Sequence, residues 1–354
     1  MGVFYQPMKV LVTGGSGFIG SNFIRYLHAQ EPTTKIVNLD NWKTYASQHG
    51  SDVSETGEKI QGNEQSPWLF NIDGDIADSA CVQPIISEVD AVINFAAQTH
   101  VVRSIMNARD FIHSNIEGVN NLLELSLKHG LKRFIHISTD EVYGSCKTGS
   151  FTETSPLCPN NPYSATKAAG DLLIRSYMVT YKFPAVILRP SNNFGPFQFP
   201  EKVLPVFILN AMEDKPLPLY GDGSNIREWL FVEDTCAAVY TALNNFKAGE
   251  IFNVGGGHEL ANSELARMVL DAMGKPNDRI QHVKDRPGHD WRYSLDTKKI
   301  MDELGWKPSG NFKENLAKTI QWYQDHRDWC TDRTAIAESF RKAYRQQYGV
   351  YTAL

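Results

Sequence analysis

A glycine loop restricts what this chain can fold into more than any other feature. Gly14-Gly15-Ser16-Gly17-Phe18-Ile19-Gly20 follows directly on the apolar, β-branched run Lys9-Val10-Leu11-Val12-Thr13. A buried strand that ends in glycines and opens a helix is the first half of a β–α unit. Glycine permits the tight turn and lets backbone N–H groups approach a pyrophosphate, and the helix N-terminus adds a favourable field. A second strand, residues 35–40, ends in Asp40, 20 positions beyond Gly20. At that spacing a carboxylate can take a ribose 2′-OH. Asn41 and Trp42 follow rather than an arginine, and a carboxylate there repels a 2′-phosphate, so NAD is favoured over NADP.

The alternation continues down the chain. Residues 91–97, 133–138 and 185–189 read as strands, with a further strand region ahead of Asp75-Ile76. Helical spacing falls on residues 21–29, 115–129 and 164–181. Strands alternating with helices imply a parallel sheet covered on both faces. The expected fold is α/β: a Rossmann-type doubly wound parallel sheet over residues 8–190, with a smaller substrate-binding region over 191–330, from which some segments return to the first. Proline and glycine become denser in that second region. Residues 331–354 read as a helical tail, and residues 47–67, polar and without periodicity, as a surface insertion.

Composition bears on partners. The 354-residue chain has 35 Lys+Arg against 40 Asp+Glu, a formal net charge of -5. That gives no basic footprint for nucleic acid. No apolar run nears the ~20 residues of a membrane helix, and the first residues lack a signal-peptide core. Five scattered cysteines with no CxxC pair point to neither a zinc site nor a disulfide framework. His100, His136, His258, His282 and His289 show no metal-ligand spacing. The expectation is a soluble, cytoplasmic protein without a metal.

Tyr163-Ser164-Ala165-Thr166-Lys167 sets a phenol and an ammonium at i and i+4, on one side of a helix. A nearby ammonium stabilises phenolate and pulls the tyrosine toward neutrality, which makes it a usable base. Together with the glycine loop, Asn94-Phe95-Ala96-Ala97 and Ser138-Thr139, this pattern resembles the extended short-chain dehydrogenase/reductase superfamily over nearly the whole chain, to about residue 325. The resemblance implies that Gly14, Gly17, Phe18, Ile19, Gly20, Asp40, Asp75, Ile76, Ala96, Ala97, Tyr163 and Lys167 hold NAD.

Ser138-Thr139-Asp140-Glu141-Val142-Tyr143-Gly144 narrows the reaction. It ends a strand at the carboxyl edge of the sheet, where ligands bind in such folds, and sets two carboxylates side by side. Elimination of water across C5–C6 of a sugar needs a base for the C5 proton and an acid for the departing oxygen, which an Asp-Glu pair supplies if their environments drive their pKa values apart. The segment is similar to the hallmark of nucleotide-sugar 4,6-dehydratases, the dTDP-glucose 4,6-dehydratase family in particular. That resemblance implies that Tyr163 removes the 4-OH proton as hydride leaves C4, that Thr139 hydrogen-bonds the same oxygen, that Glu141 takes the C5 proton, and that Asp140 protonates the C6 hydroxyl. Hydride then returns to C6. By the same resemblance, His100, Arg103, Asn192, Asn193, Lys202, Arg227, Asn262, Arg286 and His289 bind a nucleoside-diphosphate sugar, dTDP- or UDP-glucose. Val102 and Trp291 depart from the family pattern. A 4-epimerase or decarboxylase on the same fold lacks the need for Asp140-Glu141, and a non-catalytic NAD module lacks the need for Tyr163 and Lys167. The resemblance also implies a homodimer, for which the apolar faces of the 115–129 and 164–181 helices offer a four-helix interface unless they cover the sheet instead.

Overall fold

The computed structural model describes residues 8–41, 67–285, 288–331 and 334. The 47–67 insertion, apart from its last residue, Arg286 and most of the 331–354 tail lie outside them. The first strand, β1 (Lys9–Thr13), shows how the sheet is built. Val10 and Val12 point into one hydrophobic cluster and Leu11 into another on the opposite face, the two-residue alternation of a strand buried on both sides. Burying each such side chain contributes roughly 1.5–3 kcal/mol.

Helix α1 (Phe18–Gln30) leads to β2 (Lys35–Asp40) and β3 (Leu69–Asp73), then α2 (Ser79–Ile86) and β4 (Ala91–Asn94). After α3 (Val101–Met106) a helical stretch runs as α4 (Arg109–Ile112), a π turn (His113–Glu117) and α5 (Gly118–Lys128). Next come β5 (Arg133–Ile137), a 3₁₀ turn (Asp140–Tyr143), α6 (Pro162–Tyr181) and β6 (Ala185–Pro190). Asn161 caps α6 by accepting from the Ser164 amide, with Pro162 at its first position, a strong start signal. Left-handed Lys182 (φ 52°) ends it.

The strands lie in the order β3-β2-β1-β4-β5-β6-β10, all parallel. The outermost, β10 (Ile251–Val254), comes from beyond residue 190 and pairs Ile251 with Ile187. Residues of α8 (Val232–Asn244) and α10 (Lys298–Leu304) join α1 on one face of this sheet. Helices α2, α5 and α6 cover the other.

The remaining elements surround a third cluster, with Phe207, Trp229, Leu265 and Leu316 buried in it. They are β7 (Asn192–Phe194), α7 (Val203–Met212), β8 (Leu217–Tyr220), β9 (Ile226–Phe231), β11 (His258–Ala261), α9 (Asn262–Ala272), β12 (Ile280–Val283) and α11 (Phe312–Asp325). Strands β11, β9 and β7 form a small sheet, and β12 and β8 a parallel pair. Among the described residues no helix is long and apolar enough to cross a membrane.

Candidate active site

A cleft of about 330 Å³ opens at the carboxyl ends of β1, β2, β4, β5 and β6, where the strand order reverses between β1 and β4. Ligands bind at such a crevice in open α/β sheets. At its floor, Gly14 takes φ +69°, and a Cβ there would stand 2.5 Å from the Ala96 amide nitrogen. A Cβ on Gly20 would stand 2.3 Å from the Gly14 carbonyl oxygen. Gly17 precedes the first residue of α1 and has no side chain to cap it, so the first-turn N–H groups near Phe18 and Ile19 face the cleft unblocked, the arrangement that receives a pyrophosphate.

Asp40 sits at the end of β2 and takes hydrogen bonds from the backbone amides of Ser16 (2.8 Å) and Asn41 (2.8 Å). Burial, against the pull of these amides, raises its pKa to about 6. Asp75 accepts from the Ala77 amide (2.8 Å), the Asn41 side chain (3.2 Å) and His113 (3.0 Å). The cradle, the uncapped helix start and these two acids fit a dinucleotide.

Deeper in, the 3₁₀ turn and α6 bring the reactive groups together. Thr139 Oγ1 donates to Asp140 Oδ1 at 3.2 Å and also hydrogen-bonds Tyr163. Asp140 is 1% exposed, and its Oδ2 has no hydrogen-bond partner. Burial first, then the charges of Glu141 and Glu228, hold its carboxyl well above the usual range. Burial thus favours the neutral, protonated form of Asp140, the form a general acid needs. Glu141, next in the chain, is partly exposed in the cleft.

Lys167 is anchored on the neighbouring strand β5. Its Nζ donates to the Ile137 carbonyl (2.7 Å) and faces His136 Nε2 (3.3 Å). Burial, joined by the charges of Glu141, Asp140 and Asp171, pushes the Tyr163 phenol up rather than toward neutrality. The i, i+4 relation is there, but in a dry pocket desolvation of the phenolate outweighs a cation directed elsewhere.

Gly14, Gly17, Phe18, Ile19, Gly20, Asp40, Asp75, Ile76, Ala96, Ala97, Thr139, Asp140, Glu141, Tyr163, Lys167, Asn192, Asn193 and Lys202 all line the cleft. His100 and Arg103 stand behind it. Arg103 Nη2 pairs with Glu201 at 2.6 Å, and His100 lies 3.7 Å from the same carboxylate. Burial alone would raise Glu201, but Arg103, His100 and Lys202 overcome that and hold it at about 2. Arg227, Asn262 and His289 do not line the cleft. Arg227 donates to the Asp290 carbonyl (3.0 Å) and lies over the Tyr293 ring. Asn262 begins α9, its amide donating to the Asn225 carbonyl (3.0 Å). His289 pairs with Asp285 at 2.7 Å. Arg286 falls outside the described residues.

Sequence reasoning missed Asn115. The π turn directs its amide to the Gln98 carbonyl (3.0 Å) and Thr166 Oγ1 (2.9 Å), while its Oδ1 accepts from the Gln98 amide (2.9 Å). It thereby ties the cleft-lining segment after β4 to the turn of α6 that lies between Tyr163 and Lys167. Its one sequence signal was a polar residue among the apolar positions of its helix.

Comparison with known proteins agrees with this geometry. The model of the family described as GDP-mannose 4,6 dehydratase matches residues 11–319. A dTDP-glucose 4,6-dehydratase of Streptomyces antibioticus is 45% identical over 91% of this chain and 94% of its own length. A low-salt glycan biosynthesis protein of Haloferax volcanii is 46% identical over 89% of this chain and 98% of its own. The crystal structure of a dTDP-glucose 4,6-dehydratase from Streptomyces venezuelae, solved with NAD and TYD bound, superposes with a TM-score of 0.85 at 42% identity, covering 92% of this chain and all of that one.

Proposed function

This chain belongs to the GDP-mannose 4,6 dehydratase family, and we propose that it is a hydro-lyase that converts dTDP-glucose into the 4-keto-6-deoxy sugar nucleotide with NAD as a recycled cofactor. The observation that carries this reading is the buried Asp140, whose carboxyl burial shifts upward, beside Glu141 and within the same cleft as Tyr163 and the glycine cradle. Simple oxidation or epimerisation at C4 has no use for such an acid. The relatives named dTDP-glucose 4,6-dehydratase support the nucleotide.

The cradle from Gly14 to Gly20 holds the pyrophosphate, Asp40 the ribose, and Asp75 with Ile76 the adenine. The nicotinamide supplies a reversible hydride store. Tyr163 removes the O4 proton while Thr139 holds that oxygen. Because burial raises the phenol, it becomes a base only with positive charge beside it, and Lys167 is this chain's own source of that charge. The resulting 4-ketone acidifies C5, Glu141 takes the C5 proton, and Asp140 delivers its proton to O6, which departs as water. Hydride returned to C6 and a proton returned to C5 complete the balance. Asn192, Asn193 and Lys202 hold the sugar nucleotide from the facing wall, and His100 and Arg103 steady that wall through Glu201. Arg227, Asn262, His289 and Arg286 serve the nucleotide end.

The working form is a homodimer in the cytoplasm. The inner faces of α5 and α6 are spent on the sheet, but Leu172 and Val179, two turns apart on one stripe of α6, remain exposed, apolar surface suited to a second copy. Cys81, Cys146, Cys158, Cys236 and Cys330 are thiols rather than disulfides, as suits a reducing compartment. The test is incubation with dTDP-glucose and UDP-glucose separately, followed by mass analysis. Loss of one water, faster from dTDP-glucose, supports the reading; conversion to the galacto isomer without mass change overturns it.

A further inference from the structure

We propose that Asp171 is a positioning residue for the Tyr163–Lys167 couple: it is the buried counter-charge that keeps Lys167 an ammonium, and Arg189 and His136 set how strongly it does so. The proposal rests on the dehydratase reading.

Asp171 follows Lys167 by four residues, as Lys167 follows Tyr163, so the three share one stripe of α6. Lys167 and Asp171 are 3% and 1% exposed. A buried Arg–carboxylate pair is commonly bidentate. Here it is split. Arg189 Nε donates to Asp171 Oδ2 at 2.8 Å, while Arg189 Nη1 turns away to donate to the Tyr143 hydroxyl at 2.8 Å. Tyr143 in turn donates to Asn253 Oδ1 on β10 at 2.7 Å. Asp171 Oδ1 is left without a hydrogen bond, 3.9 Å from His136 Nε2. That same Nε2 lies 3.3 Å from Lys167 Nζ. The imidazole thus stands between the ammonium and the unspent carboxylate oxygen.

The protonation pattern follows. An ammonium has donors only, and Asn94 Nδ2 lies 3.0 Å from His136 Nδ1, so donor groups face both ring nitrogens, which favours the neutral imidazole over the doubly protonated ring. Burial, with the charges of Lys167 and Arg189, holds His136 well below its ordinary value. A neutral imidazole does not neutralise Asp171, whose field then falls on the lysine. Burial lowers Lys167 to about 8, with Asp171 opposing the fall. The titratable groups around the pair are Tyr163 on the same helix, His136 on β5, Arg189 on β6, and Asp140, Glu141 and Tyr143 in the 3₁₀ turn. Asp171 itself and, of these groups, Arg189 can be changed without replacing a residue assigned to the chemistry.

The experiment is the pH profile of kcat for the full chain with NAD and dTDP-glucose, in Asp171→Asn, Asp171→Glu and Arg189→Gln. Asp171→Asn removes the counter-charge, so the alkaline limb moves to lower pH by about one unit, a tenfold change in proton affinity. Arg189→Gln frees more of the carboxylate's field and moves the limb the opposite way. Asp171→Glu keeps the wild-type limb. A purely structural Asp171 would lower melting temperature in these variants and leave every limb in place, which overturns the proposal, as do limbs that move in the same direction. If Asp171→Asn does not fold, the direction of the Arg189→Gln shift decides. Wild type that forms no keto product fails the dehydratase reading instead; active wild type with unresponsive limbs fails this one.

Discussion

The Thr139 hydroxyl donates to Oδ1 of Asp140 at 3.2 Å and leaves Oδ2 of that buried carboxyl with no hydrogen bond. One oxygen is oriented and the other is kept for a ligand. Asp140→Asn keeps the shape and removes the proton. Elimination should fall by roughly 10²–10⁴-fold, the usual worth of a general acid, while oxidation at C4 continues, so NADH absorbance should build up after substrate is added. Unchanged turnover would remove Asp140 from the role of acid.

The same variant should be more stable, in a pH-dependent way. Asp140 has its folded pKa raised, so the native state holds a proton that the unfolded chain releases above about pH 4. Above that pH the wild type loses about 1.4 kcal/mol of stability per pH unit until the folded carboxyl itself titrates. Asparagine carries no such cost. Urea unfolding should show Asp140→Asn more stable than wild type at pH 7 and the difference closing toward pH 4; a gap independent of pH would contradict the raised value.

Gly14→Ala should abolish cofactor retention. The added Cβ meets the Ala96 amide nitrogen at 2.5 Å from a backbone at φ +69°, and the next nearest atoms are also backbone of Phe95 and Ala96, which cannot swing aside as a side chain would. Left-handed strain of about 1–2 kcal/mol adds to the collision. NAD affinity measured by calorimetry should drop at least tenfold. Normal binding would mean that the cradle is not what receives the pyrophosphate.

These positions differ in how far the sequence revealed them. The glycine loop, Asp40 and the Tyr163–Lys167 spacing are local patterns, and alternating strands and helices place their ends at one sheet edge. What escaped is non-local or depends on burial. Strand β10 pairs with β6 although more than 60 residues separate Ile187 from Ile251, and an apolar run of four residues does not name its neighbour. Glu201 and Arg103 meet across 98 positions. The direction of the Tyr163 shift could not be read, since i, i+4 spacing shows that a lysine is near but not that its donors go to Ile137 and His136. Asn115 looked like a helix residue because a π turn has no distinctive composition.

Glu201 offers a second linkage test of opposite sign. Its pKa is lowered from an ordinary 4.5 to about 2, with Arg103 the strongest of the cations that overcome burial. A depressed carboxylate stabilises above its unfolded pKa and loses that contribution as pH falls through the folded one. Glu201→Gln should cost about 3 kcal/mol at pH 7, with the deficit against wild type shrinking between about pH 4.5 and 2. Because Glu201 also lines the cleft, KM for the sugar nucleotide should rise. A stability loss that ignores pH would mean packing, not charge, is what the Arg103 pair supplies.

The outer face of α6 makes the last prediction. Leu172 and Val179 are seven residues apart, two turns on one stripe, and are 55% and 56% exposed. Ile174 and Met178, on the opposite side of the same helix, are buried against the sheet. Exposed leucine and valine on one stripe are what a two-fold helix–helix contact buries, since the same patch meets itself. Leu172→Glu with Val179→Glu places four carboxylates at that contact, two from each copy. Light scattering after size exclusion should then report the monomer mass, against twice that mass for wild type at micromolar concentration. Because Tyr163 and Lys167 lie on this helix, kcat should fall with the mass, while melting temperature should fall less than for a core substitution. A wild type that is already monomeric would leave the stripe without a partner of its own kind, and a double variant that stays dimeric would put the contact on another face.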